Sequence, residues 1–245
     1  MAKQRTDTDR RRVVEEMRRE QQRKERRKSL LVVGAAVVVG VLIIGFAVVQ
    51  YLGSQQSDAR DLSAIGQSVD AAGCQKITTE KAVGNGEHRP EGEKILYPDA
   101  PPAFGPHWGS FLMPTEIRKL YTVDDRPAVE KLVHSLEHGH TILWYDETIA
   151  KDDQAVEDLK AIADKFPSNT DFNDKFIAAP WTSDDGKAFP DDTHVALTHW
   201  SMGGTNGHPE GQIGVWQYCR GVSGQAVEEF MKKYPYSDSP EPTAP

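Results

Sequence analysis

The apolar positions fall into one long uncharged run near the start of the chain and a series of short periodic segments after it. From Leu30 to Leu52 there are 23 residues without a charge. As a helix at about 1.5 Å per residue this run reaches roughly 35 Å, against a hydrocarbon core of about 30 Å. It predicts a single N-terminal transmembrane helix. Gly34, Gly40 and Gly45 are tolerable inside such a helix. Gln50 and Tyr51 fall where an interfacial belt would lie. The run exceeds the apolar region of a signal peptide, about 7–15 residues, and no convincing A-x-A cleavage pattern follows it. It reads as an uncleaved signal anchor.

Beyond it the periodicity switches between helical and extended. Pro127 opens a helical pattern with Val129, Leu132, Val133 and Leu136 on one face, and Gly139 ends it. Thr141 to Tyr145 is a short apolar run that predicts a buried strand. Asp152 to Phe166 predicts a second helix, with Val156, Leu159, Ile162, Ala163 and Phe166 together. Lys175 to Ala179, His194 to Trp200 and Gly214 to Tyr218 read as strands, and Gln225 to Lys233 as a closing helix. The stretch from Tyr97 to Trp108 carries Pro98, Pro101, Pro102 and Pro106, which exclude a helix and predict a stiff extended loop. Gly203 to Gly207 reads as a flexible turn. The expected organisation is a tail over 1–29, a span over 30–52, a linker over 53–73, a globular domain over 74–234 and a disordered Pro-rich tail over 235–245. The fold class is α+β: one small mixed-sheet domain with flanking helices, behind the single transmembrane helix.

Charge sharpens this division. The formal net charge is −8, but residues 1–29 hold 12 Lys/Arg against 6 Asp/Glu, leaving 17 against 31 for the rest. The halves are therefore +6 and −14. A basic N-terminal flank keeps that end in the cytoplasm, so the expectation is a single-pass membrane protein with its C-terminal domain extracytoplasmic. The acidic domain excludes nucleic-acid binding. Disulfides persist outside the cytoplasm. Cys74 and Cys219, the chain's two cysteines, then suggest one bridge across the domain, with a free catalytic thiol as the rival reading.

Candidate chemistry concentrates in Leu132 to His140. His134 and His138 are i and i+4 on the predicted helix, with Glu137 at the edge of the same face. Two imidazoles one turn apart can chelate one metal ion. His107 on the Pro-rich loop is the expected third ligand. His140, His199 and Met202 are further candidates for ligands or supporting groups, as is Glu137. The thioethers of Met113 and Met202 make copper as suitable as zinc. Each also has a plain structural role open to it: histidines near a helix C-terminus, or rings packed beside Trp108 and Trp200. His134, Glu137 and His138 match the inverted zinc-protease pattern H-x-x-E-H, which would make the domain a metallohydrolase, with Glu210 as the nearest third ligand. The helix stops one residue after His138, which argues against that. No phosphate loop, nucleophile elbow or kinase signature is present, and neither catalytic residues nor an organic cofactor are assigned.

Tyr97-Pro98, Pro101-Pro102, Gly105-Pro106-His107 and Val133-His134-Ser135-Leu136-Glu137-His138-Gly139 ahead of a Trp-Tyr strand are carried together. In this the chain resembles DUF3105, a mainly actinobacterial family of unknown function, over about residues 60–234. Phe104 stands where the family has a small residue before the glycine. The resemblance implies a place in the cell envelope and groups His107, His134, Glu137 and His138 as one site. Two functions follow as expectations: binding of copper or zinc for metal handling or envelope assembly, or a non-enzymatic interaction module of an envelope complex.

Overall fold

The computed structural model describes residues 17–19, 33–34, 37–46, 48, 60–84, 86–203 and 211–245. Two units are distinguished, residues 1–56 and 57–245. Within the first unit, the longest described helical stretch is 37–46. Among the described residues, no helix is long and apolar enough to cross a membrane. The expected transmembrane helix over 30–52 is therefore corrected. With it go attachment to a membrane through one helix and the single-pass topology. Most of the basic tail over 1–29, and part of the run itself, lie outside the described residues.

The second unit is a mixed α+β domain. Its strands are β1 (Thr78–Lys81), β2 (His88–Arg89), β3 (His107–Trp108), β4 (Thr141–Tyr145), β5 (Phe176–Pro180), β6 (Val195–Ser201) and β7 (Ile213–Cys219). Its helices are α1 (Val129–Glu137), α2 (Glu147–Ala150), α3 (Asp153–Ala163) and α4 (Gly224–Lys233). The main sheet has the order β1-β7-β6-β4-β5. Only β4 and β5 run parallel within it, as expected for strands joined through helices. β2 and β3 form a separate two-stranded parallel ribbon.

The pleat sends alternate side chains to opposite faces. From β4, Leu143 and Tyr145 meet Leu159 and Ile162 of α3 and Val227 and Phe230 of α4. Ile142 and Trp144 meet Leu132, Val133 and Leu136 of α1 on the other face. Helices cover both faces, which is why β4 and β5 are buried along their whole length and read as continuous apolar runs. β1 escapes a pattern reading because Thr78–Lys81 is exposed throughout and held at the sheet edge by pairing to β7.

Capping agrees with the sequence. Gly139 follows α1 with φ 96°, and a Cβ there would meet Ser239 Oγ and the Tyr236 carbonyl at 2.7 Å. Asp152 caps α3, accepting from the Gln154 and Ala155 amides. Replacing Asp152 by Ala is expected to lower stability by about 1 kcal/mol, seen as a small shift in the urea midpoint with the fold retained.

Residues 60–73, inside the expected linker, pack against the domain, where Ile65 and Ala72 are fully buried. Residues 235–245, expected to be disordered, instead fold back over the end of α1. Glu241 donates its amide to the Glu137 carbonyl at 2.9 Å. The buried Lys175 ammonium donates to the carbonyls of His138, Pro242 and Ala244 at 2.6, 3.0 and 2.7 Å. Composition alone missed this because the tail is ordered by a lysine 60 or more residues away. Cys74 and Cys219 are joined in a disulfide that ties the segment before β1 to the end of β7.

Candidate metal centre

The Pro-rich loop is pinned from below by the sheet. Trp216 Nε1 donates to the Pro101 carbonyl at 2.8 Å, and Tyr218 Oη donates to the Ala100 carbonyl at 3.1 Å. Phe104 fills a slot against Trp200 and Trp216 left open by Gly214. That glycine accommodates the larger residue at position 104. Tyr97 Oη donates to the Pro106 carbonyl at 2.7 Å, completing the support of His107.

Pairing of β2 with β3 sets His88 directly opposite His107. From α1, His134 and Glu137 point at the same place, three residues apart on one helical face. The His107 and His134 ring centroids are 4.6 Å apart, and His88 stacks on His134 at 5.3 Å with 15° between the planes. Glu137 Oε2 lies 3.0 Å from His107 Nε2 and 3.9 Å from His88 Nε2. One donor atom from each of His88, His107, His134 and Glu137 lies within 4.8 Å of all the others, an arrangement that could hold a metal ion.

Hydrogen bonds set the ring protons. A carbonyl oxygen can only accept, so His107 Nδ1 donates to Gly105 at 2.9 Å and His134 Nδ1 donates to Trp108 at 2.6 Å. In a neutral ring this leaves the Nε2 lone pair free. Burial first, with the nearby His138 and His107 adding to it, pushes the His134 pKa down to about 4 against the Trp108 bond, so its ring is neutral at pH 7. Burial pushes the Glu137 carboxyl up, but the neighbouring His107, then His134 and His88, outweigh it and hold the group below its usual range.

Although His107 Nε2 and Glu137 Oε2 are 3.0 Å apart, both are buried and neither has a partner aligned as a hydrogen bond. A neutral His107 ring carries its proton on Nδ1, toward the Gly105 carbonyl, so no hydrogen lies between the two atoms. Two lone pairs then face each other in a buried site, which is costly unless a cation or proton lies between them.

The remaining sequence candidates lie elsewhere. His138 packs edge-on against His134 at 4.5 Å, but its Nδ1 donates to the Pro245 carbonyl at 2.7 Å and its Nε2 sits 3.6 Å from Glu241 Oε2. His140 turns away after Gly139 and donates Nδ1 to the Ser135 carbonyl at 3.1 Å. His199 and Trp200 are neighbours on β6, so they point to opposite faces. Trp200 meets His107, while His199 faces Tyr234 on the α4 side with both ring nitrogens unpartnered. Met113 and Met202 are about half exposed. Glu210 lies outside the described residues, as do positions 204–207 of the expected turn.

His88 is the residue that sequence reasoning missed. It sits in a polar stretch without periodicity, and only its register against His107 brings it to the site.

Residues 88–245 match the family model of DUF3105, described as a protein of unknown function. Residues 8–75 are similar to a domain described as an inhibitor of host cell division protein domain. Most of that stretch lies outside the described residues. Nothing matches among curated proteins or among solved structures.

Proposed function

The chain belongs to the DUF3105 family of proteins of unknown function, and on that footing we propose that its domain binds one transition-metal ion in an extracytoplasmic compartment, for metal handling. His107, His134 and Glu137 are the buried ligands and His88 is the fourth. The observation that carries this reading is the pair of buried lone pairs on His107 Nε2 and Glu137 Oε2, 3.0 Å apart with no hydrogen bond. Support comes from the two backbone carbonyls that hold the His107 and His134 rings, the usual way a protein orients metal-ligating imidazoles. The Cys74–Cys219 disulfide fits an oxidising compartment.

Three imidazoles and a carboxylate suit zinc(II) or copper(II). A tetrahedral ion with bonds near 2.1 Å spaces its donors about 3.4 Å apart. Donor pairs up to 4.8 Å apart therefore close by roughly 1.4 Å on binding. Glu137 is itself one of the proposed ligands, so the hydrolase reading, which needs it free to activate water, gains no support.

The test is elemental analysis and competition titration on untagged protein. Wild type is expected to hold one ion per chain. His134→Ala and Glu137→Gln are each expected to weaken binding about 100-fold or more, beyond the usual 10–100-fold cost of losing an outer-shell partner. Metal-replete wild type carrying no stoichiometric ion would end the proposal.

A further inference from the structure

The four ligands are not equivalent. The side chains of His107 and Glu137 are 0% and 6% exposed, whereas that of His88 is 51% exposed. His107 and His134 are locked by backbone carbonyls. The His88 ring makes no hydrogen bond to any described residue. It rides on a strand of two residues and lies flat against the His134 ring, 5.3 Å away. Beside it Gly109 leaves room, since a Cβ there would come only to 3.7 Å from His88. The floor of the site is therefore enclosed and held by hydrogen bonds, while its outer wall is one planar, half-exposed ring. Closing the cluster from donor separations of up to 4.8 Å to tetrahedral spacing falls most easily to that ring.

Resting on the metal-site reading above, we propose that His88 is a displaceable ligand, and that the flat slot it occupies over His134 is the position where an imidazole donor from outside the chain replaces it when the ion enters or leaves. The chemistry is a ligand exchange with no redox step. One metal–nitrogen bond to His88 breaks and one to the incoming imidazole forms, while His107, His134 and Glu137 keep the ion in place. An imidazole is the donor class because the slot already holds one. It is flat, faced by the His134 ring, and open on its far side.

The experiment uses the full untagged chain and cobalt(II), whose visible spectrum reports coordination directly. His88→Ala removes an exposed ring and leaves the buried floor untouched, and circular dichroism checks that the fold is kept. The variant is expected to retain one cobalt(II), bound about 10–100-fold more weakly than in wild type. Extraction by EDTA should accelerate by a similar factor. Added imidazole should restore the wild-type spectrum and slow the extraction. A short histidine-containing peptide is run beside free imidazole: equal rescue identifies a small-molecule donor, and stronger rescue a protein donor. If the variant matches wild type in spectrum and extraction rate, or loses cobalt(II) in a way imidazole does not restore, the exchange role is overturned while the metal site stands. Wild type that takes up no cobalt(II) overturns the site itself, and this role with it.

Discussion

Replacing both cysteines of the Cys74–Cys219 bridge by serine is expected to cost the domain about 5 kcal/mol. The bridge spans 145 positions of sequence. In the chain-entropy model a loop of that size restricts the unfolded chain by about 5 kcal/mol at 25 °C. That is a large share of the roughly 5–15 kcal/mol that separates folded from unfolded domains. Local contacts accompany the bridge: Gln75 donates its amide to the Tyr218 carbonyl, and Arg220 to that of Ala72. They hold the same segment to β7 only once the fold exists, so they do not restrict the unfolded chain as the bridge does. Urea unfolding of the double serine variant should show a midpoint lowered by about 2–3 M for a slope near 2 kcal/mol per M. A change below about 1 kcal/mol would mean that the bridge constrains little beyond what packing already fixes.

Acidification is the second large effect, and it acts through histidines outside the metal cluster. Burial, reinforced by Lys175 and Lys119, pushes His140 down to about 3. Burial pushes His199 down to about 4 despite a backbone contact from His140. In the unfolded chain both titrate near 6.5. Their folded values are depressed, so between about pH 6.5 and 4 the unfolded chain binds protons that the folded chain refuses. Stability is thus fully present above about pH 7 and is lost as the pH falls. Each histidine approaches a slope of about 1.4 kcal/mol per pH unit below 6.5, so the pair removes about 3 kcal/mol between pH 6.5 and 5. Urea midpoints at pH 7, 6 and 5 measure this directly. His199→Gln should flatten the dependence by about half whatever it does to stability at pH 7. A midpoint constant from pH 7 to 5 would show that both rings already accept a proton in the folded state.

Much of the framework was legible because it follows local rules. The α1 pattern between Pro127 and Gly139, the apolar run of β4 and the face of α3 each carry a period that one element alone can satisfy. His134 and Glu137 came with α1, and His107 with the proline loop, since their placement needs only a helical turn and a stiff extended segment. The short strands β1, β2 and β3 were not legible. Thr78–Lys81 is wholly exposed, and two-residue strands have no period to read.

The uncharged run over 30–52 shows the limit from the other side. Its composition suited a membrane span, yet the longest described helical stretch within it is 37–46. Among the described residues, no helix is long and apolar enough to cross a membrane.

By itself the sequence determined the α+β class and singled out the one pair of cysteines, and it named His107, His134 and His138 as ligands with Glu137 as a possible ligand or supporting group. Only the tertiary structure decided which histidines meet. His88 joins because β2 pairs with β3 in one register. His138 is drawn off because Lys175 holds the C-terminal segment against it. His199 is turned away because neighbouring residues of a strand face opposite sides of the sheet. The first two depend on contacts between residues distant in sequence, and for His199 only the packed sheet decides which of its two faces meets the proline loop, so no periodicity along the chain can report which candidates come within bonding distance.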